Sequence, residues 1–428
     1  MIRPDNIKTI SNGMQKLKSK AHNILRWSEK YTKTDMVYLA KGGSWFALGT
    51  ALSWLISFGT ALAFANLIPK ETFGAYQYVL SIVGIFGIMT LTGMNTAISR
   101  AAARGKDGSL FEALKEKIRW GLLGGLGAIF FGAYYLFKDN AVLGWAFIIA
   151  GILIPFWETP GIYISYAQGK KRFDISSVYD VGAQSLAAIA VITALYVSKN
   201  LLVILASYLL GWGLGRALLF YITIRQLPPN NERDHDTISY GKHLTVMSAL
   251  SKVSVNIDTV LLWHLVGPAS VATYVFAQAL PLRVAGLAKV ADRLAFPKMA
   301  TQDMATIQKT LLHKILLLCG VAALMAIAYI IAAPYLFHLF FPKYIDVIPL
   351  TQLLSSLIVL QPLGLFLNPL TSHAKKKLLY LYNFGVPIFR TAIFLLLIPY
   401  FGLLGAVVGL ILVKAFDGGL MTVLFYRA

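Results

Sequence analysis

The chain has 428 residues, of which 57% are apolar and only 14% charged. A typical soluble domain carries about 45–50% and about 25%, so this excess cannot be hidden in one water-facing core, and a soluble enzyme is excluded. The formal charge of +20 raises nucleic acid as a partner, but the side on which the basic residues fall accounts for it, and no nucleic-acid partner is expected.

The first 41 residues hold nine Lys and Arg and no long apolar run, so no cleavable signal peptide is expected. Ile7, Ile10, Met14, Leu17, Ala21, Ile24 and Leu25 recur at helical spacing with lysines between them. This predicts a basic amphipathic arm over residues 1–40, lying on the membrane surface; a solvated charged tail is the plainer alternative. Further on, Gly42–Pro69, Thr72–Ser99, Ile315–Pro342 and Val347–Ala374 each run 28 residues without Asp, Glu, Lys or Arg. About 20 apolar residues cross a bilayer as a helix. Twelve spans are predicted, at roughly 42–68, 75–99, 118–137, 141–166, 176–197, 201–223, 244–267, 270–293, 311–333, 347–370, 379–399 and 403–425. The fold class is an all-α polytopic membrane protein.

With the N-terminus placed in the cytoplasm, 28 Lys and Arg fall on the inner side and four (Lys70, Lys138, Lys199, Lys343) on the outer side, the rest lying within spans. The positive-inside rule then puts both termini in the cytoplasm. Residues 225–243, with Pro228-Pro229-Asn230-Asn231 and three acids, form the longest polar stretch between spans and divide the chain into 41–224 and 244–428. The two parts echo each other. Leu67-Ile68-Pro69 leads to Tyr76, and Leu265-Val266-Gly267-Pro268 leads to Tyr274. The echo predicts two six-helix bundles related by a pseudo-two-fold along the membrane normal. Gly121/Gly125, Gly211/Gly215 and Gly405/Gly409 read as close helix contacts.

Ionisable groups inside spans cost roughly 2.5–3.5 kcal/mol each at a helix centre and need a partner or a wet cavity. The C-terminal six spans hold Lys252, Arg283, Lys289, Arg293, Arg390 and Lys414 against Asp258, Asp292 and Asp417. At 100° per residue, Arg283, Lys289 and Arg293 share an arc of about 120° on the eighth span. They form a basic stripe suited to an anion, with Lys289 and Arg293 equally able to snorkel to headgroups. Arg390 has no acid within a turn, so it points to a cavity or an interhelical partner. Lys414 and Asp417 can pair locally. Lys252 is placed toward the cavity's cytoplasmic half. Among the acids, Glu158 is either a coupling-ion site or the partner of Arg216. Asp258 is a similar candidate, with Asn256 near it. No metal-ligand spacing occurs among the histidines, and no cofactor is expected beyond a coupling H+ or Na+.

The stretch Lys41-Gly42-Gly43-Ser44-Trp45 through Leu67-Ile68-Pro69-Lys70-Glu71-Thr72-Phe73-Gly74-Ala75-Tyr76 resembles the opening of polysaccharide-type oligosaccharide flippases of the multidrug/oligosaccharidyl-lipid/polysaccharide exporter superfamily. Gly93-Met94-Asn95-Thr96-Ala97-Ile98-Ser99-Arg100 resembles the end of their second helix. Asn256-Ile257-Asp258-Thr259-Val260 through Tyr274, and Phe296-Pro297-Lys298-Met299, resemble their seventh and eighth helices, and Gly402-Leu403-Leu404-Gly405-Ala406 the start of their last. The resemblance implies a V-shaped pair of bundles in the prokaryotic cytoplasmic (inner) membrane. It implies translocation of polyprenyl-pyrophosphate-linked oligosaccharide from the inner to the outer leaflet by alternating access, for cell-surface polysaccharide assembly. The implied partners are lipid-linked oligosaccharide, membrane lipids, and a polysaccharide polymerase or other assembly proteins. The implied headgroup cations lie on the first, second, seventh and eighth helices. Here the first helix has none and the second only Arg100, so Arg283, Lys252, Lys289, Arg293 and Arg390 carry the expectation. Two alternatives stand beside it. A drug or cation antiporter of the same superfamily would need cavity acids more than bases. A membrane-embedded glycan polymerase or ligase would need a larger outer loop than the dozen residues from Pro334 to Asp346, and a non-enzyme is expected.

Overall fold

The structure, a computed structural model, describes residues 36–286, 303–373 and 375–428. Among the described residues every regular element is helical. The passes are α1 Met36–Leu67; α2, in two pieces, Lys70–Phe86 and Met94–Ala103; α3 Ser109–Phe137; α4, in two pieces, Ala141–Trp157 and Ile162–Gly169; α5 Phe173–Val197; and α6 Leu201–Gln226. Then follow α7 Asp236–Leu265; α8 Pro268–Gly286; α9 Met304–Phe340; and α10 in short pieces, Ile348–Leu354, Ser356–Leu360 and Leu367–Ser372. The run Lys376–Tyr426 holds α11 and α12, which reverse at Gly402. There φ is 54° and ψ −128°, a region open to glycine because it lacks Cβ. The predicted arm over 1–40 falls almost wholly outside the described residues, as do Lys289 and Arg293.

Two expectations about boundaries are corrected. α3 starts at Ser109 rather than near 118, which moves Lys117 from a loop into a membrane helix. The outer loop expected from Pro334 is helix as far as Phe340, followed by a 3-10 turn Pro342–Val347; Pro334 is carried inside α9.

α2 and α4 are both broken. In α4, Pro155 and Pro160 remove two backbone donors, and the α-helix ends at Trp157 with Glu158 at the break. In α2 a 3-10 turn Gly87–Thr90 ends on Leu91 at φ 54°, a geometry that costs a non-glycine residue roughly 1–2 kcal/mol. Both breaks pack against α3, where glycines permit backbone contact. A Cβ on Gly125 would fall 2.4 Å from the Gly151 carbonyl, and one on Gly124 would fall 2.5 Å from that of Phe86.

The N-terminal and C-terminal passes meet along α2 and α7. At one end, Gly74 lies so close to Pro268 that a Cβ would fall 1.8 Å from its carbonyl oxygen. Tyr78 stacks on Trp263 with centroids 4.5 Å apart. The Tyr78 hydroxyl lies 3.2 Å from His264 Nε2. Lys70 pairs with Asp346 at 2.8 Å, and Lys343 donates to the Asn66 carbonyl at 2.7 Å. The opposite end is rich in basic residues. There the linker and the start of α7 bind the N-terminal passes through Lys106–Glu232, Arg233–Glu112 and Lys242–Glu116. Thr245 accepts the Gly93 amide at 3.0 Å. The echoed tyrosines, Tyr76 and Tyr274, are both buried.

Candidate functional site

Ionisable side chains at membrane depth stand on α3, α4, α6, α7 and α8. Lys117 is the most buried of them: its residue is 0% exposed, and Nζ donates to Asn95 Oδ1 at 3.2 Å. The charges that act on it belong to Glu158, Lys252 and Arg216. The sequence reading missed Lys117 because it stands one residue outside the expected span. A signal was present: Leu110, Ala113, Lys117, Gly121, Gly124, Gly125, Ala128 and Gly132 form one buried face of α3, at the 3–4-residue spacing of a helix.

Arg216, on α6, lies over the Trp212 ring at 4.3 Å and donates from Nη1 to the Trp157 carbonyl at 3.4 Å. Its Nε, the Trp157 indole N–H and the Thr159 hydroxyl are buried without a hydrogen-bond partner. Glu158 makes no ion pair within 4 Å among the described residues, so it is not the direct partner of Arg216. Breaking α4 at Glu158 puts this carboxylate near the broken part of α2: the nearest atom to a Cβ built on Gly87 is Glu158 Oε2, at 4.0 Å.

On α7, Lys252 is partly buried, and its backbone carbonyl accepts from Asn256 at 2.9 Å. Asn256 faces α2, its amide 3.5 Å from where a Gly84 Cβ would lie. Asp258, two residues on, faces the other way. It pairs with Arg390 of α11 at 2.9 Å and accepts the Tyr274 hydroxyl at 2.8 Å. The expected pairing of Asn256 with Asp258 in one cation site is therefore corrected, because residues two apart on a helix point about 200° apart. For Arg390 the structure supplies the interhelical partner.

Arg283, on α8, is partly buried and has no ion pair or hydrogen bond among the described residues. Gly286, three residues on, has Trp54 of α1 as its nearest neighbour, 3.5 Å from a built Cβ. Arg283 thus belongs to the part of α8 that meets α1. Arg100 lies at the basic end, exposed, over the Tyr240 ring at 4.8 Å. Lys414 and Asp417 pair at 3.2 Å, as their spacing predicts, and the Tyr382 hydroxyl donates to Asp417 at 2.8 Å.

Among the described residues, Lys117, Arg216, Lys252 and Arg283 have no carboxylate in contact; Glu158 lies within reach of Lys117, and Asp180 on α5 within reach of Arg216. An arrangement with more cations than anions at membrane depth can hold an anion out of water, since an uncompensated charge is costly there. Outside the membrane, Lys106 holds the Glu232 carboxyl below its ordinary range.

The fold of the chain is similar to the lipid II flippase MurJ in an inward closed conformation, with TM-score 0.68, 12% identity, and coverage of 88% of this chain and 86% of that one. It is similar to an inward-facing MATE multidrug resistance transporter of the MOP superfamily, with TM-score 0.64, 14% identity, and coverage of 88% and 94%. It is also similar to a MOP superfamily transporter from Pyrococcus furiosus described as having a binding pocket of reverse polarity, with TM-score 0.60, 13% identity, and coverage of 91% and 95%. No curated protein matches by sequence. The family model described as polysaccharide biosynthesis protein matches residues 39–301, more than half of the chain, and the chain therefore belongs to that family of multi-pass membrane proteins.

Proposed function

We propose that the protein is a flippase that carries polyprenyl-pyrophosphate-linked oligosaccharide from the inner to the outer leaflet of a prokaryotic cytoplasmic membrane by alternating access. The observation that carries this reading is the pair Arg283 and Lys252, partly buried at membrane depth on α8 and α7 with no acid in contact among the described residues. A pyrophosphate cannot enter hydrocarbon bare. A guanidinium offers it a fork of donors and an ammonium a point charge. The polyprenyl tail stays in the bilayer while the head travels, and no covalent step is needed.

In this reading the basic end faces the cytoplasm, by the positive-inside rule, and the end sealed by Gly74–Pro268 and Lys70–Asp346 faces outward. A head entering from the cytoplasm meets Arg100, then Lys252 and Arg283. Glu158, with no carboxylate-binding cation in contact, is the candidate for the coupling ion. A cation antiporter fits less well, because Lys117, Arg216 and Lys252 outnumber the acids near them, Glu158 and Asp180.

The test is glycan export in cells carrying Arg283→Ala or Lys252→Ala, scored beside membrane insertion. Export should fall at least tenfold for Arg283→Ala with insertion unchanged. Full export by a well-inserted Arg283→Ala protein overturns the reading.

A further inference from the structure

Among the described residues Asp258 is the most fully engaged carboxylate at membrane depth. Its Oδ1 accepts the Thr259 amide at 2.8 Å. Its Oδ2 accepts the Tyr274 hydroxyl at 2.8 Å and Arg390 Nη2 at 2.9 Å. The same Nη2 donates to the Val255 carbonyl at 3.3 Å. The side chains of Arg390 and Asp258 are 16% and 4% exposed.

Without the guanidinium, what remains around the place of Nη2 is Asp258 Oδ2 and the Val255 carbonyl oxygen, with the Tyr274 hydroxyl held on the same Oδ2. Hard cations take such a set of oxygen donors. In this chain the cation at that point is the guanidinium of Arg390, delivered from α11. The same design recurs on α12, where Asp417 is closed by Lys414 and by the Tyr382 hydroxyl. By contrast, Glu158 in the N-terminal passes has no such closure.

We propose that Arg390 is a tethered counter-cation that occupies an oxygen-lined monovalent-cation site between α7, α8 and α11, so that Asp258 takes up no free coupling ion in the native protein. The inference deepens the transporter reading but rests on binding at this site alone. The site is neutral and permanently filled, which removes Asp258 from the coupling candidates. Shortening Arg390 to an uncharged side chain of similar bulk leaves the oxygens in place and opens the site to a free ion.

The experiment measures thermal unfolding of the purified full chain in sodium chloride against choline chloride at equal ionic strength. It uses the native protein, Arg390→Met, Arg390→Gln and Arg390→Met/Asp258→Asn. The native protein should unfold at the same temperature in both salts. Arg390→Met should be less stable in choline chloride and should regain stability selectively in sodium, by about 1–2 °C for each tenfold of sodium above half-saturation. The double variant should lose that selectivity. Arg390→Gln keeps the test open if Arg390→Met does not fold, and the native comparison needs no variant. A sodium-specific rise in the native protein that Asp258→Asn removes would overturn the proposal. So would folded Arg390 variants equally unstable in both salts, which is what a plain structural ion pair gives. Neither outcome bears on flipping itself, because no transported substrate is present.

Discussion

Arg390 in α11 and Lys117 in α3 are both basic side chains within membrane passes, and they are held in opposite ways. Arg390 meets a carboxylate at 2.9 Å and keeps a little exposure. Lys117 is fully buried, yet its hydrogen-bond partner is a neutral amide oxygen at 3.2 Å, and the acid that acts on it, Glu158, is not in contact. The C-terminal passes cancel charge locally, twice, through Asp258 and Asp417. Lys117 and Arg216, near the broken parts of α2 and α4, and Lys252 and Arg283, on α7 and α8, have no carboxylate in contact among the described residues. The Asp258–Arg390 pair fixes α7 against α11, and the Lys414–Asp417 pair within α12 is tied to α11 by the Tyr382 hydroxyl; in the proposed function the uncancelled charges act on a substrate that comes and goes.

That contrast can be broken most sharply at Asp258. Asp258→Ala leaves Arg390 buried without its counter-charge, and breaking such a pair costs about 3–5 kcal/mol. The variant should show a large fall in unfolding temperature, measured in detergent. A change near zero would mean that the pair fixes nothing. At Lys117 a milder effect is expected. Lys117→Met keeps the bulk of the side chain and removes one hydrogen bond, worth about 1 kcal/mol, so stability should move little while glycan export falls. Loss of folding with no separate effect on export would make Lys117 a structural residue like Arg390. Glu232→Gln tests the smallest effect. Lys106 depresses the Glu232 carboxyl, so the pair contributes above the ordinary glutamate pKa of about 4.3 and loses its contribution as pH falls through the depressed folded value. The difference in hydrogen exchange of the 230–236 segment between Glu232→Gln and the native protein should be present at pH 7, shrink in added salt, and close in acid. Both side chains are exposed, so this strap is a weak one.

Much of the fold was readable from the sequence because membrane helices announce themselves by length and lack of charge. The twelve passes, the polar linker and the Lys414–Asp417 pair all follow from one-dimensional spacing. What spacing does not carry is distance between helices. Asp258 and Arg390 are 132 residues apart in the chain, and each looks unpaired along its own helix. The break of α4 could be read from Pro155 and Pro160. That of α2 could not, because Gly87–Thr90 contains no proline and Leu91 is a residue that seldom adopts positive φ. Lys117 lies one residue before the expected span of 118–137, although the small residues of α3 continue past it with unbroken helical period.

The central claim is that the cations at membrane depth escort an anionic lipid head between leaflets. The direct measurement is purified protein in vesicles carrying a labelled polyprenyl-pyrophosphate oligosaccharide in one leaflet, with its appearance in the other followed by a membrane-impermeant quencher. The native protein should equilibrate the label, and a folded Arg283→Ala variant should not. A native protein that leaves the lipid in place yet moves organic cations across the same vesicles would contradict the account.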